Sequence, residues 1–134
     1  MPKAQPRVAV VDDDMSVRKA LARLLSASSF DIDTYGSARE FLAALQGPDG
    51  FPPECLVVDL HMPDITGLEL QRYLTRFGIK IPTIIITAYN EPGTSERCTA
   101  AGASAFLLKP VNGSTLIAAI NSATNVNSPP LSQH

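Results

Sequence analysis

The sequence predicts a single α/β domain: a five-stranded parallel sheet with helices on both faces. Three observations carry that prediction. Five short apolar runs are rich in Val, Ile and Leu, an amphipathic stretch follows each, and most connections are only a few residues long. The chain of 134 residues is long enough for one compact core. Hydrophobic residues make up 45% and charged residues 18%, a balance too apolar for a disordered chain.

The first run, Val8 to Val11, is largely β-branched and stops abruptly at three acids, Asp12, Asp13 and Asp14. Val17, Leu21, Leu24 and Leu25 follow at helical spacing, with Asp14 or Ser16 placed to cap them. A weaker strand around Ile32 to Tyr35 leads through Ser37 into a helix carrying Phe41, Leu42 and Leu45. Gly47 and Pro48 end that helix, and a Pro/Gly-rich loop runs on to Glu54. Leu56 to Val58 is the third strand, ending in Asp59. Met62-Pro63-Asp64 makes a turn, and Thr66-Gly67 opens a helix bearing Leu70, Tyr73, Leu74 and Phe77. Pro82 introduces the fourth strand, Thr83 to Thr87, and a polar segment follows it. Ala105 to Leu108 is the fifth, ending at Lys109-Pro110, and a last helix shows Leu116, Ile117 and Ile120 on one face. The strands read as continuously apolar rather than alternating, as expected when both faces are buried. Right-handed crossovers leave few arrangements, of which the flavodoxin-like order 2-1-3-4-5 is the commonest for five strands.

Several function classes are disfavoured. A net charge of −2 gives no global attraction to nucleic acid or to an anionic membrane. Residues Met1 to Arg7 lack the apolar centre of a signal peptide, and no apolar run approaches the roughly 18 residues of a membrane span. A soluble, cytoplasmic protein is expected. Cys55 and Cys98 show neither CxxC nor zinc-type spacing and read as two buried thiols in a reducing compartment. Neither GxGxxG nor GxxxxGK[ST] is present, which argues against a nucleotide-binding protein.

Ligands of such a sheet bind outside the carboxyl ends of its strands, where the strand order reverses, here between strands one and three. Those ends carry Asp12 and Asp13 on strand one, Asp59 on three, Thr87 on four and Lys109 on five. Three carboxylates cannot share a small site as anions without a compensating cation. Hard oxygen ligands favour magnesium, or manganese, over zinc. Lys109 adds a positive charge and Thr87 a hydrogen-bond donor, which suits a phosphoryl group, and a carboxylate nucleophile can form an acyl phosphate. Taken singly, each residue has a plainer reading. A lone strand-end acid is usually a cap, which is how Asp14 reads; Lys109 alone would be a surface lysine and Thr87 a strand residue. Convergence on one edge is what outweighs those readings. His61 has no second histidine near it in sequence and reads as a loop side chain.

With these residues in place, the chain resembles the receiver domains of two-component response regulators from about Arg7 to Asn125. The matching pieces are VVDDD (Val10 to Asp14), VVDLHMPDITG (Val57 to Gly67), ITA (Ile86 to Ala88), AGASAF (Ala101 to Phe106) and LKP (Leu108 to Pro110). The likeness is to receivers of transcriptional regulators in the nitrogen-fixation and nitrate-response branches. It implies a receiver domain over residues 1–126 and a flexible tail over 127–134. By position it implies Asp59 as phosphoacceptor and also a magnesium ligand, with Asp13 binding magnesium directly, Asp12 mostly through water, and the backbone carbonyl of His61 as a further ligand. Thr87 and the backbone N–H of Ala88 would hold phosphoryl oxygens, and Lys109 would pair with them. The Lys109–Pro110 peptide would be cis, and Phe106 matches the aromatic that turns inward as Thr87 moves. The implied partners are a sensor histidine kinase or phosphotransfer protein, and a second copy through the face of helix four, strand five and helix five.

Two departures matter. Asn90 to Ala101 contains Pro92, Gly93 and several Ser/Thr residues, with Glu96 and Thr99 where relatives place apolar side chains, so helix four is expected to be short or loosely packed. The chain also leaves only about a dozen residues after the last helix, against the order of 60 that a DNA-binding module needs, so no direct nucleic-acid binding is expected. The strongest rival is a haloacid-dehalogenase-type phosphatase, whose nucleophile ends the first strand in a D-x-D motif; Asp59-Leu60-His61 lacks the second acid and lies on strand three. A phosphate-independent pseudo-receiver, the second rival, is expected to lack one of Asp59, Thr87 or Lys109.

Overall fold

The computed structural model describes residues 5–125, so the expected tail over 127–134 lies outside the described residues. Ten elements alternate along the chain. They are β1 (Arg7–Val11), α1 (Met15–Ala27), β2 (Asp31–Tyr35), α2 (Ala38–Gln46), β3 (Cys55–Asp59), α3 (Gly67–Arg76), β4 (Thr83–Thr87), α4 (Thr94–Ala100), β5 (Ala105–Leu108) and α5 (Gly113–Asn125). The sheet order is β2-β1-β3-β4-β5 with every pairing parallel. Register sets Val11 beside Val58, Asp59 beside Ile86 and Thr87 beside Leu108, which brings the carboxyl ends of the four strands β1, β3, β4 and β5 to one edge.

Side chains alternate across a strand, and here each face has its own core. On one face Ala9, Val11, Leu56, Val58 and Ile85 pack with Phe41 of α2, Leu70 and Leu74 of α3 and Cys98 of α4. On the other, Val8, Val10, Val57, Ile84 and Ile86 pack with Leu21 and Leu25 of α1 and Leu116 and Ile120 of α5. Each Val, Leu, Ile and Phe among them contributes about 1.5–3 kcal/mol by leaving water.

The expectation of continuously apolar strands holds for the centre of the sheet and, in composition, for β5, and fails at β2. Strands β3 and β4 are buried at every residue and β1 from Val8 onward. Strand β2 reads Asp-Ile-Asp-Thr-Tyr with no buried residue, and β5 ends on an exposed Leu108. An edge strand has a neighbour on one side only, so its outer residues face solvent; in β2 Asp33 uses that exposure to pair with Arg7 of β1 at 3.3 Å.

The helix starts follow local chemistry. Of the two candidates, Asp14 is the cap of α1, accepting from the backbone N–H of Ser16 at 2.8 Å and of Val17 at 3.3 Å. Ser37 caps α2 through Glu40 N–H. Thr66 and Glu69 form a reciprocal box on α3. Helix α4 has seven residues and no side-chain cap, and starts after Gly93 at φ 83°. It is short, as expected, but its far end is held: Cys98 is buried, and the Thr75 hydroxyl donates to Ala101 O at 2.9 Å.

Candidate functional site

The carboxyl edge of the sheet assembles the predicted acids. Asp12, just past β1, is completely buried, Asp59 ends β3 almost so, and Asp13 is exposed beside them. Carboxylate oxygens of all three lie within 4.8 Å of one another. Lys109, just past β5, places Nζ 3.0 Å from Asp12 Oδ2 and 3.4 Å from Asp59 Oδ1. The Lys109–Pro110 peptide is cis.

Asp12 is anchored on several sides. Its Oδ1 accepts from the Asp14 N–H at 2.9 Å, its own N–H donates to Tyr35 O at 3.1 Å, and its carbonyl accepts from Arg18 Nη1 at 2.7 Å. Asp12 Oδ2 faces Lys109 as an ion pair but off the line of a good hydrogen bond, so this buried oxygen has no aligned donor. A cluster of hard oxygens with one of them in that state fits a hard divalent cation, which needs no directional hydrogen. The donor set contains nothing soft.

Electrostatics at Asp59 are in conflict. Burial pushes its carboxyl above the ordinary value and the charge of Asp12 pushes it further, while Lys109 and a hydrogen bond from the His61 backbone N–H pull it down. Burial works against the Lys109 ammonium, but contact with Asp12 and the charge of Asp59 outweigh it and raise its pKa.

Around this cluster stand the remaining predicted residues, of which His61 reaches Asp59 through its backbone N–H. Thr87 is fully buried at the end of β4, and its Oγ1 accepts from the Tyr89 N–H at 3.2 Å. Ala88 follows it, exposed. His61 is an exposed loop residue whose ring meets that of Tyr89 edge-on at 5.5 Å between centroids. Phe106 is partly buried against the core shared with α2, α3 and α4. Both cysteines are buried free thiols.

Two contributors escape a reading of the sequence alone. A Cβ on Gly67 would stand 2.6 Å from the Asp59 carbonyl oxygen, so α3 starts against the end of β3 only because this residue is glycine. The Thr66–Glu69 cap locates the helix start, but nothing local reveals that contact. Arg18 reads as an ordinary helix cation until its hydrogen bond to Asp12 is seen.

The fold and this edge define a phosphate-accepting signalling domain. The chain belongs to the response regulator receiver domain family, whose model matches residues 8–121. It is thus a receiver domain of two-component response regulators, and the pocket of Asp12, Asp13 and Asp59 fits the phosphoacceptor site of that class. The chain is 38% identical over 121 residues to the transcriptional regulatory protein TdiR of Thauera aromatica, covering 90% of this chain and 52% of that protein. Against the transcriptional regulatory protein FixJ of Rhizobium meliloti it is also 38% identical over 121 residues, covering 87% and 56%. The FixJ-N crystal structure superposes with a TM-score of 0.78 at 36% identity, covering 93% of this chain and 96% of that one. The response regulator StyR gives 0.81 at 40% identity, covering 93% and 62%. The chain spans about half the length of the curated relatives it matches. No helix among the described residues is long and apolar enough to cross a membrane.

Proposed function

We propose that Asp59 accepts a phosphoryl group from a sensor histidine kinase or phosphotransfer protein, and that the domain then changes shape to control a downstream partner. The observation that carries this reading is the geometry at Asp59: a nearly buried carboxylate with two further carboxylates within 4.8 Å and an ammonium 3.4 Å away. A carboxylate oxygen of Asp59 attacks phosphorus, the new O–P bond forms as the donor's P–N bond breaks, and the donor imidazole leaves. Asp13 and Asp59 would hold magnesium, Asp12 mostly through water, and the His61 backbone carbonyl would be a further protein ligand, with manganese an acceptable substitute. When bound, the cation neutralises phosphoryl oxygens during transfer.

Lys109 stays charged and pairs with the phosphoryl group, drawn from its present partners by the new charge. Thr87 and the Ala88 N–H take the remaining oxygens, which requires Thr87 Oγ1 to leave the Tyr89 N–H. Phe106 then fills the space Thr87 vacates. Self-phosphorylation and slow loss of phosphate are the only chemistry expected, so the domain is a switch rather than an enzyme. A phosphorylation-dependent second copy on the face of α4, β5 and α5 is one output. The domain works in the cytoplasm, and a net charge of −2 gives it no global electrostatic attraction to nucleic acid. Neither rival reading is favoured: the motif order departs from the phosphatase, and Asp59, Thr87 and Lys109 are all present, unlike a pseudo-receiver.

Intact-mass measurement after treatment with acetyl phosphate and magnesium tests the acceptor. One added phosphate is expected, lost with EDTA and in Asp59→Asn; phosphate on His61 overturns the assignment.

A further inference from the structure

We propose that Arg18 is a positioning residue for the acid site, holding the Asp12–Asp13 peptide so that the carboxylates are aimed before any cation arrives. The proposal rests on reading Asp12, Asp13 and Asp59 as a metal site. Arg18 lies in α1, six residues from Asp12, and its Nη1 donates to the Asp12 carbonyl oxygen at 2.7 Å. That oxygen and the Asp13 nitrogen belong to one rigid plane, so fixing the first fixes where the Asp13 Cα stands. The preceding peptide is fixed by the Asp12 N–H to Tyr35 O bond at 3.1 Å.

Asp13 needs that support more than its neighbours do. Asp12 is buried and its carboxylate holds the Asp14 N–H, and Asp59 is nearly buried against Lys109. Asp13 is exposed, and among the described residues no hydrogen bond or ion pair ties its carboxylate, so its aim depends on the backbone.

The use made of the guanidinium supports positioning over simple charge balance. With three acids nearby, Arg18 forms no ion pair with any of them and spends its charge on a main-chain carbonyl. The guanidinium runs close to the turn between β2 and α2, where a Cβ on Gly36 would stand 3.3 Å from Arg18 Nη1. A guanidinium that reaches past a glycine to a carbonyl is a strap between α1 and the end of β1.

The two roles predict opposite signs. A cation acting only by charge repels magnesium, so removing it tightens binding. A cation acting by position organises the ligands, so removing it weakens binding. Magnesium titrations by calorimetry on the wild type, Arg18→Met, Arg18→Lys and Asp13→Asn separate them. Expected is about a tenfold loss of affinity in Arg18→Met, the usual scale for an outer partner of a metal ligand. Arg18→Lys should fall between it and wild type, and Arg18→Met should melt near wild type without metal. Raising magnesium should restore full phosphorylation of Arg18→Met by acetyl phosphate, which a merely damaged fold would not permit. Wild-type or tighter affinity in Arg18→Met, with Asp13→Asn impaired, overturns the role of Arg18 alone. Unchanged affinity in Asp13→Asn overturns the metal-site reading beneath it. Should Arg18→Met fail to fold, Arg18→Lys carries the test, and wild-type affinity there overturns the proposal.

Discussion

Asp59 bears the cost of the site. In the fold, burial and then the charge of Asp12 raise its pKa, against the pull of Lys109 and the His61 N–H. An acid whose folded pKa exceeds its unfolded value holds its proton more tightly when folded, so ionising it costs stability. That cost is absent below the unfolded pKa of about 4. It grows as pH rises toward the folded value and is complete above it. Asp59→Asn should therefore melt higher than wild type at neutral pH in EDTA, with the difference vanishing toward acid pH. Calorimetric melting across that range is the check, and an Asn variant that melts lower would mean the Lys109 pairing dominates. Acid clustering was legible in the sequence because each acid ends an apolar run, whereas the burial that sets Asp59 apart from exposed Asp13 was not. Cys55 shows the same effect without function: burial pushes its thiol up to about 12, leaving it inert as a nucleophile.

At the scale of elements, the placement of α3 is the tightest fit near the site. Gly67 donates its N–H to Leu60 O at 3.0 Å while its missing Cβ leaves room for the Asp59 carbonyl. Gly67→Ala should cost about 1–3 kcal/mol, the range for overpacking a well-filled site. It should also weaken magnesium binding, because the clash falls on the Asp59 backbone. Thr66→Ala is the control. Losing that cap should cost about 1 kcal/mol with magnesium affinity unchanged. Denaturant melts with parallel magnesium titrations distinguish the two; equal metal affinity in both variants would detach α3 from the site.

Across the whole molecule, phosphorylation adds a group of about −1.5 to −2 charge at one edge of the sheet, and a weakly held element must respond. Helix α4 is that element. It is seven residues long and its start has no side-chain cap, while its far end is tied through Cys98 and the Thr75 bond to Ala101. Motion should therefore concentrate between Tyr89 and the first turn of α4, pivoting on the far end. Hydrogen exchange with and without beryllofluoride and magnesium should show protection rising from Tyr89 through the first turn of α4 as well as around Asp59. Protection confined to Asp59 would rule out α4 as the responding element.

The sequence by itself determined the βα rhythm and the strand-end residues, because apolar runs, caps and glycine-proline breaks are local signals. The strand order followed from the general rules of parallel sheets and not from any local signal. The sequence placed both edge strands but overstated the apolarity of one, since β2 owes its strand form to its ladder with β1 rather than to its own apolarity. Only the tertiary structure decided which acids are buried and that Thr87 faces the Tyr89 N–H. It alone set Gly67 against Asp59 and Arg18 on the Asp12 carbonyl. Each of those depends on how closely two elements distant in sequence approach one another, and a distance across the fold leaves no mark on local spacing.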